Sequence, residues 1–114
     1  QSNYKNNPNV IALPKAVETI EPYRNALWLA DDQTFGFTED RYAILFHKNE
    51  VKSIIVQNVL PAKGGGYVEL MVRQQDDQLV TLYYSEQHAL DSYIDKMQEL
   101  LKIEMEVPEP YYNC

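Results

Sequence analysis

Apolar positions recur with period two through most of residues 26–84 and with a three-four rhythm through residues 90–101. These are the signatures of strands followed by one amphipathic helix. Tyr67 to Gln74 alternates cleanly, with Val68, Leu70 and Val72 on one side and Tyr67, Glu69, Met71 and Arg73 on the other. After the turn Gln75-Asp76-Asp77-Gln78, Leu79 to Tyr84 sets Val80, Leu82 and Tyr84 against Leu79, Thr81 and Tyr83. The two runs predict a hairpin. Tyr42 to His47 and Val51 to Val59 are rich in β-branched and aromatic residues, and the short Lys48-Asn49-Glu50 between them predicts a second hairpin. In Val51 to Val59, Ile54, Val56 and Asn58 oppose Val51, Ser53, Ile55 and Gln57, so both faces are partly apolar. Ala26 to Ala30 and Thr34 to Thr38 form a third pair around Asp31-Asp32-Gln33, with Trp28 and Phe35 as its buried weight.

Ser85 has the chemistry of a helix N-cap, and Glu86 in the first turn complements the helix dipole. Leu90, Tyr93, Ile94, Met97, Leu100 and Leu101 then form one apolar stripe, with Asp91, Asp95, Gln98, Glu99 and Lys102 towards solvent. The expected fold is therefore α+β and mainly β: one antiparallel sheet of about six strands closed by a C-terminal amphipathic helix. Residues 10–106 make up the domain, 1–9 a flexible lead-in and 107–114 an extended Pro/Tyr tail. Pro14 opens a short helix through Ala16, Val17 and Ile20 that stops near Pro22.

At 114 residues the chain fits one domain with one core. Its longest apolar runs fall far short of the roughly 20 residues of a membrane span. The net charge of −7 is uneven: residues 1–75 carry eight acidic and eight basic side chains, and residues 76–114 carry nine acidic ones against Lys96 and Lys102. That acidic third disfavours nucleic acid and anionic lipid. It is either a solvated face or an attractor for a basic partner. The single Cys114 excludes an internal disulfide. Gln1-Ser2-Asn3, without an initiator Met, looks like the remnant of a cleaved export signal or of tag removal, which favours an exported protein or an excised domain.

The candidate chemical motifs resolve into structural ones. In Lys63-Gly64-Gly65-Gly66 the Lys precedes the glycines and a strand follows, opposite to a phosphate loop. His47 and His88 stand 41 positions apart without cysteines or a third histidine nearby. Asp31-Asp32, Glu39-Asp40 and Asp76-Asp77 lack the alternate ligand spacing of a calcium loop and suit turns. No cofactor, metal or catalytic residue is expected.

The series of hairpins, the run Thr81-Leu82-Tyr83-Tyr84-Ser85 leading into a closing helix, and the segments Thr38-Glu39-Asp40-Arg41-Tyr42 and Lys52-Ser53-Ile54-Ile55-Val56 resemble the pleckstrin-homology-like group, including its GRAM-type members, over residues 26–104. That resemblance implies a barrel or curled sheet. The closing helix here carries Tyr93 where many members have tryptophan, and Asp31-Asp32-Gln33 stands where lipid-binding members carry a basic loop. The implied partner is a protein rather than a phosphoinositide.

The nine tyrosines supply the remaining signal. Tyr67, Met71, Arg73 and Tyr83 are expected on one exposed face as a protein-binding patch, assisted by the acidic helix positions Asp91, Asp95 and Glu99. The expected function is a non-enzymatic protein-interaction domain of undetermined oligomeric state. Two alternatives are an acidic inhibitor or immunity-type protein that blocks a basic site, and a small-ligand site lined by Trp28 and Tyr42.

Overall fold

Two sheets, each with its own inner face, divide the strands between them in the computed structural model, which describes residues 9–13, 25–39, 43–61 and 65–113. The short helix expected after Pro14, Tyr42, and Lys63-Gly64 lie outside the described residues. The first sheet is fully antiparallel in chain order: β1 (Val10–Ala12), β2 (Ala26–Asp31), β3 (Thr34–Thr38) and β4 (Ala43–His47). Ile11, Leu27, Phe35, Phe37 and Phe46 face inward and are buried, and Phe35 stacks on Phe46 with centroids 5.2 Å apart.

Trp28 does not share the buried side with Phe35. The register pairs Trp28 with Gly36 and Leu29 with Phe35, so the strand pleat sends Trp28 to the outer face. Its ring lies across Gly36, where a Cβ would stand 2.4 Å from a ring carbon, so any larger residue there would displace the indole. The indole N–H donates to Thr38 Oγ1 at 2.8 Å.

The second sheet is built on β5 (Val51–Pro61), flanked by the antiparallel β6 (Tyr67–Gln74) and then by β7 (Leu79–Glu86). On the other side of β5, β8 (Met105–Glu106) and β9 (Tyr111–Asn113) both run parallel to it. Ile54, Val56, Val68, Leu70 and Val72 face the first sheet and complete the core with its aromatic residues. Phe37 and Tyr83 meet across the sheets with centroids 6.1 Å apart.

The expectation of a single sheet of about six strands, closed or curled as a pleckstrin-homology-like barrel, is thus corrected. The reason lies at Lys48–Glu50. These residues form a 3₁₀ turn whose flanking residues His47 and Val51 are both extended, so β5 departs from β4 instead of folding back on it. The turn is held by its neighbours: the Lys48 N–H donates to Gln33 O at 2.8 Å, and the Gln75 N–H donates to Glu50 O at 3.0 Å. It joins two sheets where a hairpin was expected. Among the described residues no strand pair links them, and no barrel closes.

The closing helix is shorter than the sequence pattern implies. Ser85 belongs to β7, a 3₁₀ turn follows at Asp91–Tyr93, and α1 runs only from Ile94 to Leu101. The apolar stripe is nevertheless the buried one: Leu90, Met97 and Leu101 are fully buried, and Tyr93, Ile94 and Leu100 pack beside them. Fully burying such side chains contributes about 1.5–3 kcal/mol each. Lys102 ends the helix in the left-handed conformation, with φ of 57° and its N–H donating to Gln98 O.

Candidate functional site

A β-bulge decides which tyrosines reach the surface. In the β6–β7 ladder, Val72 pairs with Val80 and Met71 with Thr81, but Leu70 pairs with Tyr83, which leaves Leu82 as an extra residue on β7. Leu82 and Tyr83 therefore both turn inward, and every later residue of β7 changes face. Tyr83 is only 6% exposed, whereas Tyr84 is 57% exposed. Burial pushes the Tyr83 phenol above its ordinary pKa.

Past the bulge, the outer face of the second sheet forms a grid. Tyr67 pairs with Glu86 and Glu69 with Tyr84, so two phenols and two carboxylates occupy alternate corners. The Tyr67 and Tyr84 rings touch diagonally at a centroid distance of 5.9 Å, inclined by 56°. The Glu69 carboxylate raises the Tyr84 pKa, first through its charge and further by hydrogen bonding to the phenol. Met71, half-buried, and the exposed Leu79 extend this surface along the strands.

The residues predicted for the site fall into three groups. Tyr67 and Met71 lie on this outer face. Arg73 lies at its far end and is engaged: its Nε donates to Glu106 Oε2 at 2.9 Å and its Nη2 to Glu106 Oε1 at 3.3 Å. The Ser53 hydroxyl donates to the same carboxylate. Arg73 first, then Ser53, holds Glu106 below the usual carboxylate range. The bulge turns Tyr83 into the core.

Asp91, Asp95 and Glu99 form a separate surface. All three are exposed, on or just before α1, which packs through Met97 and Leu101 into the space between the sheets. Asp91 accepts from or pairs with His88 Nδ1 at 3.0 Å. The residues that the pattern did not bring forward are Tyr84, Glu69 and Glu86. Strict alternation assigns Tyr84 to the core, and only strand pairing reveals the bulge.

The acidic turns act as turns. Asp31 Oδ1 accepts the Gln33 N–H at 2.8 Å, and Asp76 Oδ1 accepts the Gln78 N–H at 3.0 Å. Among the described residues no group of three or more His, Cys, Asp or Glu side chains is placed to hold a metal ion, and no helix is long and apolar enough to cross a membrane. A cleft of about 460 Å³ lies between the first sheet and α1, lined by Leu29, Asp32, Lys48, Glu99, Leu100 and Lys102. Trp28, expected in a small-ligand site, lies on the outer face of the first sheet over Gly36, and Tyr42, the other residue expected there, lies outside the described residues.

No solved structure matches the chain. A family model, the PM0294 C-terminal domain, matches residues 1–112, nearly the whole length. The chain, with its two sheets and its exposed tyrosine–glutamate grid, belongs to the PM0294 C-terminal domain family.

Proposed function

We propose that this domain is a protein-interaction module that works by binding, and that its docking surface is the outer face of β6 and β7 around Tyr67 and Tyr84. The observation that carries this reading is the Tyr67–Tyr84 pair, two rings in contact with each other and exposed to solvent by 37% and 57%. Tyrosine offers a large amphipathic contact area with few rotatable bonds, which favours it in binding surfaces. Beside the pair, Met71 and the half-exposed Leu79 widen the apolar area.

The test is affinity capture from an extract of the source organism, with the full chain beside Tyr67→Ala/Tyr84→Ala and Asp95→Lys/Glu99→Lys variants. The expected result is one partner held by the native chain and by the helix variant but lost by the tyrosine variant. Loss with the helix variant alone would move the docking surface to α1 and favour the acidic-inhibitor reading. Equal capture by all three would overturn both.

A further inference from the structure

Independently of the outer face of β6 and β7, we infer that the cleft between the first sheet and α1 binds a free aliphatic α-amino acid. Lys48 and Lys102 hold its carboxylate, Asp32 and Glu99 hold its ammonium, and Leu29 and Leu100 receive its side chain. Three observations converge on this ligand.

The first is how the cleft is built. Its volume is about 460 Å³, within the range of about 300–1,000 Å³ usual for small-molecule sites. One wall is the end of the first sheet, with Asp32 in the β2–β3 turn and Lys48 in the 3₁₀ turn after β4. The Lys48 N–H donates to Gln33 O at 2.8 Å, which holds these two turns side by side. The other wall is the C-terminal end of α1, with Glu99, Leu100 and Lys102. Leu29 and Leu100, both half-buried, give the cleft its apolar part.

The second is the pattern of charge. Each wall carries one cation and one carboxylate, Lys48 with Asp32 on the sheet and Lys102 with Glu99 on the helix. Among the described residues no ion pair ties either lysine to either carboxylate, so the four charges surround the volume without cancelling across it. Such a rim favours a ligand that carries both signs and no net charge. A plain anion would meet Asp32 and Glu99, and a plain cation the two lysines. A zwitterion can make charge-assisted hydrogen bonds with both kinds of group.

The third is that two lining residues stand against the local rules of a helix end. Glu99 lies in the last turn of α1, where the negative end of the helix dipole disfavours a carboxylate, and that turn holds no basic residue. Lys102 takes a φ of 57°, the left-handed conformation in which glycine is preferred. Residues that break a local rule concentrate where the side chain serves something other than the fold.

The experiment is a titration of the full chain, followed by amide NMR shifts, with leucine, isoleucine, valine and methionine in turn. It is repeated with N-acetyl-leucine, which lacks the ammonium, and with leucine amide, which lacks the carboxylate. The expected outcome is saturable shifts at Leu29, Asp32, Lys48, Leu100 and Lys102 with at least one free amino acid at millimolar concentration, and binding about tenfold weaker for each blocked derivative. Lys102→Gly should weaken binding about tenfold yet leave the urea unfolding midpoint unchanged or raised, because glycine suits the left-handed conformation. No saturable shift with any of the four amino acids overturns the inference. So do shifts confined to regions away from the cleft, equal binding of the blocked derivatives, and undiminished binding by Lys102→Gly. All but the last of these are read on the native chain and do not depend on a variant's folding. Partner capture through Tyr67 and Tyr84 reads a different surface, so failure here leaves the proposed function standing.

Discussion

The two margins of the second sheet differ in what covers them. On the β5 side, the chain's own C-terminal segment runs alongside: Met105 and Glu106 pair with Ile54 and Ile55, and Tyr111 to Asn113 pair with Val59 to Pro61. The outward-facing Ser53, Ile55 and Val59 are buried there, although they point away from the other sheet. Glu106 fastens the segment through Ser53 and Arg73, and the Gln57 side chain donates to Glu109 O at 3.0 Å. On the β7 side no described strand lies alongside, and the outward residues are Leu79, Thr81, Tyr84 and Glu86. The covered margin is apolar and fastened by one ion pair, while the open one is aromatic and acidic. The β7 margin is therefore the side on which we propose that a partner docks.

The largest effect should come from stripping the covered margin. A chain ending at Glu104 loses both parallel strands and exposes Ile55 and Val59, which at about 1.5–3 kcal/mol for each side chain predicts destabilisation of about 4 kcal/mol. Urea unfolding checks it. An unchanged midpoint would show that the tail only rests on β5. Next comes Tyr83→Ala, which empties the contact with Phe37 and should cost about 3 kcal/mol, as truncation of buried aromatics does. A cost near zero would contradict the bulge at Leu82.

The sequence shows part of this contrast and hides the rest for identifiable reasons. Period-two alternation locates Thr34–Thr38 and Tyr67–Gln74 as strands with the bounds observed. The stripe from Leu90 to Leu101 marks the residues by which the last helix is buried. Alternation carries no information about partners, so Lys48–Glu50 reads as a hairpin turn although it joins two sheets. A bulge inserts no unusual residue, and Leu82-Tyr83-Tyr84 is apolar or aromatic throughout, so nothing local marks the change of face. Ser85 suits a strand end as well as an N-cap. The tail, interrupted by Pro108 and Pro110, pairs in pieces of two and three residues with a strand some fifty positions earlier, which no local pattern records. The two apolar faces of β5 were the one visible hint that something covers its outer side.

A smaller effect tests the fastening. Glu106 is about one-third exposed, so Glu106→Gln should cost at most about 1 kcal/mol near neutral pH. Its folded pKa lies below the ordinary 4.5, because Arg73 and Ser53 favour the charged form. The folded state therefore keeps Glu106 ionised where the unfolded chain has begun to take up its proton. The contribution is complete above 4.5 and is lost as pH falls towards the lowered folded value. Asp77, lowered chiefly by Lys52, titrates in the same sense and remains in both chains. The difference in unfolding free energy between native and Glu106→Gln chains should accordingly shrink as the solution is acidified below 4.5. A difference that grew with acid would mean that Glu106 is not held in its charged form.

The smallest effect on stability belongs to the open margin, and there its smallness is informative. Tyr84 follows Tyr83 directly in the chain and has the same side chain, yet the bulge leaves it more than half exposed. Among the described residues, removing this exposed ring loses its contact with Tyr67 and its bonds to Glu69 and Thr81, all at the surface, so Tyr84→Ala should shift the unfolding free energy by no more than about 0.5 kcal/mol. Binding should respond in the opposite order: Tyr84→Ala should weaken partner affinity more than tenfold, as loss of a central aromatic contact does. Tyr83→Ala, once corrected for the unfolded fraction, should leave affinity nearly unchanged. Measuring unfolding and binding on the same two variants separates packing from docking at adjacent positions. If Tyr84→Ala destabilised the fold as strongly as Tyr83→Ala, the open margin would be a second packed layer, and the contrast between the two sides of the sheet would disappear.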